Sequence, residues 1–158
     1  MKKLIMVTGI PGSGKSTWIK NEMSNRIDSI HISRDIIRFS LLKDNEDYFS
    51  REDEVFKIFI SSIQAAIEDN GFENIYVDAT HLNPKARDKV LSKLILKDVK
   101  VLGVNFIIPL KICLERNDKR IGRERVPKSV IKKMYYSYLP ICEEDKYFDS
   151  FYDIKEGE

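Results

Sequence analysis

The sequence predicts an α/β protein: a parallel central sheet with helices on both faces and an arginine-bearing lid. Three observations predict it. Short apolar, β-branched runs alternate with helical periodicities along the 158 residues, the pattern of buried parallel strands joined by crossover helices. A glycine-rich turn at 9–17 joins the first strand to the first helix, and an arginine-rich stretch at 116–126 breaks the alternation late in the chain. With 42% hydrophobic and 33% charged residues, this length builds one domain, 1–158, around a single core.

The first strand is the apolar run 3–8, and a helix follows from Trp18 that fades near Asn25. A short second strand, 29–32, leads into a helix over 34–42 with Ile36, Ile37, Phe39, Leu41 and Leu42 as its apolar bulk. After the polar connection 43–47, Ser50 and Asp53 resemble a capping box. Val55, Phe56, Phe59, Ile60, Ile63, Ala66 and Ile67 then recur at helical spacing until Asn70-Gly71. The third strand, 74–78, ends on a carboxylate, and Pro84 opens a helix over 84–96. A fourth strand at 99–108, helices over 110–116 and 127–138, and a short edge strand at 148–154 before a frayed acidic end complete the order. Right-handed crossovers would place a ligand at the strands' carboxyl ends.

The turn GIPGSGKST fits G-x-x-x-x-G-K-[ST] between a strand and a helix, the setting that gives this motif its meaning. Gly9, Gly12 and Gly14 let the backbone approach a ligand closely, so that the amides around Ser13 converge on an anion at a helix start. Lys15 can bridge β- and γ-phosphates, Ser16 can ligate Mg²⁺, and Thr17 can reach an α-phosphate. The chain is therefore expected to bind ATP or another nucleoside triphosphate with Mg²⁺.

Three constellations bear on the reaction. Asp35 and Arg38 lie three apart on a helical turn, so both can face one cleft. The carboxylate can accept a proton from an attacking hydroxyl, and the guanidinium can hold an anionic part of the acceptor. Asp78 ends a buried strand, where a carboxylate orients metal-bound water or the metal itself. His81, alone in the following loop, reads as a packing or hydrogen-bonding residue. Arg116 and Arg120 fall at i, i+4 on one expected helix face, ahead of Gly122. On a mobile lid they can close over the triphosphate and neutralise charge as the γ-phosphoryl leaves.

Together GIPGSGKSTW, ISRDIIR, DATHLNPKAR, LERNDKR and VPKSVIKKMYYSY, spread from Lys2 to about Tyr138, resemble the kinase domain of the phage-type polynucleotide 5′-hydroxyl kinases. The resemblance implies a P-loop kinase three-layer sandwich with a lid and a tunnel for the acceptor end. It implies Lys15 and Ser16 on triphosphate and metal, Asp35 as general base, and Arg120 on the transferring group. On the acceptor side it implies Arg38 on the phosphate 3′ to the first nucleotide, Thr80 nearby, and Val126 against the terminal base. The acceptor would be the 5′-OH end of RNA or DNA, in end healing or repair. The D-x-D-G-T motif of the phosphatase domain that relatives often carry does not occur.

Composition narrows the alternatives. A net charge of +2 does not by itself argue for nucleic acid. No run has the length of a membrane span, and the N-terminal apolar stretch ends at Thr8, short of an export signal. Cys113 and Cys142 lack metal-ligand spacing and read as buried thiols of a reduced, cytoplasmic protein. Tyr135, Tyr136 and Tyr138 read as packing residues, and the oligomeric state stays open, a homo-oligomer included. The competing readings are a P-loop kinase for a small hydroxylated metabolite or nucleoside, and a nucleotide-binding regulatory or toxin-like module.

Overall fold

The computed structural model describes residues 1–156; the last two residues of the acidic end, 157 and 158, lie outside the described residues. The elements are β1 (Lys2–Thr8), α1 (Lys15–Met23), β2 (Ser29–Ser33), α2 (Arg34–Leu41), α3 (Glu52–Glu68) and β3 (Asn74–Asp78), followed by α4 (Pro84–Leu91), β4 (Val99–Ile107), α5 (Leu110–Asp118), α6 (Lys128–Ser137) and β5 (Ser150–Lys155). One 3₁₀ turn, Gly122–Glu124, sits between α5 and α6.

The five strands form one sheet in the order β2-β3-β1-β4-β5, and every pairing is parallel. β1 lies at the centre and is covered on both faces, so its residues sort by parity. Leu4 and Met6 join Ile75, Val77, Phe59, Ile63, Val90 and Leu91 under α3 and α4. Ile5 and Val7 join Ile19, Tyr76, Val104, Phe106, Cys113 and Ile131 under α1, α5 and α6. This is the three-layer α/β sandwich expected from the sequence, a parallel sheet with helices on both faces. Register then builds the site: Val7 aligns with Asp78, and Asp78 with Ser33. The chain leaving each strand, namely the P-loop, the start of α2 and the 79–83 loop, emerges on the same rim.

Several expected boundaries move. The helix expected over 84–96 ends at Leu91; after a turn that buries Leu94, the Ile95 amide donates to the Gln64 side-chain oxygen, Oε1, at 2.9 Å instead of continuing the helix. The capping box does not form: Ser50 Oγ donates to the Asp47 carbonyl at 2.7 Å, and α3 starts at Glu52 without a side-chain cap. α5 runs to Asp118 and stops there, so Arg120 stands beyond the helix and shares no helical face with Arg116. Cys142 is exposed while Cys113 is buried. Tyr138 packs, its hydroxyl 2.6 Å from Thr8 Oγ1, but Tyr136 is 79% exposed and Tyr135 37%.

Two buried polar groups tie the loops to this frame. Arg87, fully buried, donates through Nη1 to the carbonyls of His81 and Leu139 and through Nη2 to Asp145. Asn105 accepts from Thr8 Oγ1 and from the Ile141 amide, and donates to Asp153.

Candidate active site

A cavity of about 540 Å³ opens on the rim and gathers most of the residues singled out from the sequence. Gly12, Gly14, Lys15, Ser16, Thr17, Asp35, Arg38, Asp78, Thr80, Arg120 and Val126 all line it. Ser13 is buried within the P-loop, and Arg116 lies outside the lining. Arg116 braces the loop instead, with Nη1 donating to the Gly12 carbonyl at 3.3 Å and Nη2 paired with Glu156.

The P-loop glycines are required by shape. Gly12 and Gly14 have φ of 83° and 94°, in the left-handed region that side chains resist. A Cβ on Gly12 would also meet the Cys113 carbonyl oxygen at 2.5 Å. The loop therefore packs backbone against α5 and delivers its amides to the start of α1, where the helix's positive end favours an anion.

Lys15 curls back over this loop, donating to the Ile10 carbonyl at 3.0 Å and to Ser13 Oγ at 3.4 Å. Burial lowers its pKa to about 8, against the pull of Asp78 and with a further push from Arg120. Ser16 Oγ donates to Asp78 Oδ2 at 2.7 Å, and His31 Nε2 lies 2.8 Å from the same oxygen. Burial raises the Asp78 pKa, but the His31 hydrogen bond, the Lys15 charge and the Ser16 hydrogen bond outweigh it and hold the carboxyl below its ordinary value. An ionised carboxylate beside a hydroxyl is a hard oxygen pair suited to Mg²⁺. No group of three or more acidic, His or Cys side chains forms a protein cage for a metal among the described residues.

Opposite the P-loop, Ser33 caps α2, accepting from the Ile36 amide at 3.2 Å, so the Asp35 side chain is free for other work. Asp35 Oδ1 accepts from Tyr48 Oη at 2.6 Å and from Arg38 Nη1. Arg38 also donates to Glu52 Oε1 at 2.7 Å, and its side chain is only 6% exposed while that of Asp35 is 57% exposed. His81 is buried and neutral: burial lowers its pKa to about 4 although Nδ1 lies 2.7 Å from the Val7 carbonyl. It stacks on Phe59 with a left-handed φ of 44°, which fits the packing role expected of it.

The 116–126 segment is pinned at its base. Asn117, 1% exposed, donates to the Val126 carbonyl at 2.7 Å and accepts from the Val126 amide at 2.9 Å. Arg120 and Arg123 reach the cavity from this segment, and Val126, Val130 and Met134 form an apolar wall. Sequence reasoning missed Tyr48, Glu52, His31 and the clamp made by Asn117. The one signal for Glu52 was that Arg34 and Arg38, four apart on α2, both need an anion; Glu52 Oε2 receives Arg34 at 3.1 Å.

Comparisons with known proteins agree with this geometry. The AAA domain family matches residues 4–141. The L-seryl-tRNA(Sec) kinase of Methanococcus maripaludis is 32% identical over 146 residues, 85% of this chain and 52% of that protein. A protein of Autographa californica nuclear polyhedrosis virus, provisionally named a bifunctional polynucleotide kinase/RNA ligase, is 27% identical over 89% of this chain and 21% of its own length. The chain thus spans about half of one curated relative and about a fifth of the other. Among solved structures, a fungal RNA kinase shares the fold with a TM-score of 0.70 at 20% identity, over 99% of this chain and 77% of that one.

Proposed function

We propose that this chain, which belongs to the AAA domain family, is an ATP-dependent phosphotransferase acting on the 5′-hydroxyl end of RNA or DNA. The observation that carries the proposal is the placement of Asp35 across one cavity from Lys15 and Ser16, with Arg120 entering from the 116–126 segment. The name of the viral relative, a polynucleotide kinase/RNA ligase, supports a polynucleotide acceptor, whereas that of the L-seryl-tRNA(Sec) kinase supports phosphoryl transfer to a group carried on RNA.

In this reading the P-loop amides and Lys15 grip the β- and γ-phosphates, and Thr17 reaches the α-phosphate. Ser16 would hold Mg²⁺ directly and Asp78 would hold it through water; when bound, the ion neutralises phosphate charge. Asp35 accepts the proton of the attacking hydroxyl as the new O–P bond forms and the bond from the γ-phosphorus to ADP breaks. Arg120 stabilises the charge on the phosphoryl group in transit. Thr80 and Val126 line the acceptor side, and the lid excludes water that would otherwise compete with the acceptor. Because a polynucleotide is held largely through phosphates, its affinity should fall with salt.

A second reading, phosphoryl transfer to a small hydroxylated metabolite or nucleoside, is favoured by one observation. Arg38, the residue expected to take an acceptor phosphate, is enclosed by Asp35, Tyr48 and Glu52. Incubation with γ-labelled ATP and a panel of 5′-hydroxyl RNA, 5′-hydroxyl DNA, 3′-nucleotides, nucleosides and sugars decides between them. Label on the 5′ ends of strands is the expected result. Label on nucleosides or sugars alone would overturn the polynucleotide reading.

A further inference from the structure

We propose that Tyr48 and Glu52 brace the Asp35–Arg38 pair, making them positioning residues for proton transfer, and that Arg38 acts through Asp35 instead of gripping an acceptor phosphate. The proposal rests on Asp35 being the general base.

The hydrogen bonds form a closed set. The Tyr48 hydroxyl donates to Asp35 Oδ1 at 2.6 Å and accepts from Arg38 Nη1 at 2.8 Å. The same Nη1 donates to Asp35 Oδ1. Arg38 Nε is spent on Glu52 Oε1, and Arg34 fixes the other Glu52 oxygen. The Arg38 guanidinium also lies 4.3 Å from the centre of the Tyr48 ring. Charges balance within the set, two guanidiniums against two carboxylates, so little positive potential is left over for a phosphate. An acceptor phosphate at Arg38 would have to displace a charge-assisted bond already made.

The consequence for Asp35 is geometric. Its side chain is 57% exposed, and an exposed carboxylate on the first turn of a helix would otherwise sample several rotamers. Two donors on Oδ1 fix that oxygen, and Oδ2 takes no hydrogen bond from the described residues. One oxygen is thus anchored and one remains open to a hydroxyl in the cavity. Burial and the neighbouring Asp35 carboxylate raise the Tyr48 pKa, which keeps the phenol a donor. Preorganisation of this kind supports a rate without adding to substrate affinity.

Tyr48→Phe tests it, because the ring keeps its edge contacts with Phe39 and Phe49 while the hydroxyl is lost. With whichever acceptor the wild-type protein uses best, kcat should fall about tenfold, with acceptor KM, ATP Kd and thermal midpoint unchanged. Glu52→Gln should likewise lower kcat, and the double variant should lose no more than the worse single one, because both act through one carboxylate. The brace is refuted if Tyr48→Phe stays within about twofold of wild type, if its loss comes only with weaker ATP binding and lower stability, or if the two losses multiply. Arg38→Ala separates the roles: a fall in kcat supports the brace, whereas a rise in acceptor KM at constant kcat refutes it. If strands are not labelled but a metabolite is, the polynucleotide reading fails alone and the brace is measured on that metabolite.

Discussion

Lys15→Met removes the cation expected to grip the triphosphate, yet it should make the nucleotide-free protein more stable. Lys15 is 8% exposed, and burial takes its pKa from 10.5 to about 8. The fold therefore favours the neutral amine, and holding the ammonium at neutral pH opposes folding by about 3 kcal/mol. Methionine fills similar space without a charge to desolvate. For a domain of this size the relief corresponds to a rise of about 5–10 °C in thermal midpoint at pH 7. The sign across pH follows from the lowered value. The destabilisation is complete below about 8, shrinks as pH rises, and is gone above 10.5, where the unfolded lysine is neutral too. The advantage of Lys15→Met should therefore close between those limits. Calorimetric scans of both proteins from pH 6.5 to 10.5 measure this, and titration with ATP should show binding lost in the variant. Equal or lower stability of Lys15→Met at pH 7, or a difference independent of pH, would refute the reasoning. A gain in stability accompanied by lost binding is the expected signature of a residue kept for function.

Asp35→Ala should reduce phosphoryl transfer at least about a thousandfold while leaving ATP affinity within twofold, read by labelled-ATP turnover and calorimetric binding; near-wild-type turnover would remove Asp35 as the base. His31→Ala takes away a hydrogen bond to Asp78 Oδ2 and should raise the Mg²⁺ concentration for half-maximal turnover about tenfold, with acceptor KM unchanged. Asp145→Ala leaves the fully buried Arg87 without its carboxylate and should cost about 3–5 kcal/mol of stability in urea unfolding, because an uncompensated guanidinium remains beneath the 79–83 loop.

The site was legible in the sequence where chemistry is local in the chain. Gly12, Lys15 and Ser16 are read from one nine-residue turn, and the strand before it and helix after it are enforced by the same segment. The placement of Asp35 and Asp78 at the rim was legible for a related reason: Asp78 ends one strand, Asp35 lies two residues past another, and parallel pairing aligns strand ends. What failed was chemistry that depends on how far a helix runs or on what a loop folds back upon. The i, i+4 spacing of Arg116 and Arg120 presumed a helix through both, but α5 stops at Asp118 and the Asn117 side chain is committed to Val126. Arg120 reaches the cavity by a turn in which its amide bonds to the Asn117 carbonyl.

Tyr48 and Glu52 were hidden for the deeper reason. They sit in and after a polar connection whose sequence carries no periodicity, and their partners lie ten or more residues away on α2. Arg38 shows what such contacts change. From sequence it is a free cation beside a carboxylate, suited to an anionic acceptor. In the fold, its guanidinium is already matched by Asp35, Glu52 and Tyr48. The motif locates the cavity; the connection folded against it decides how the charges around it are paired.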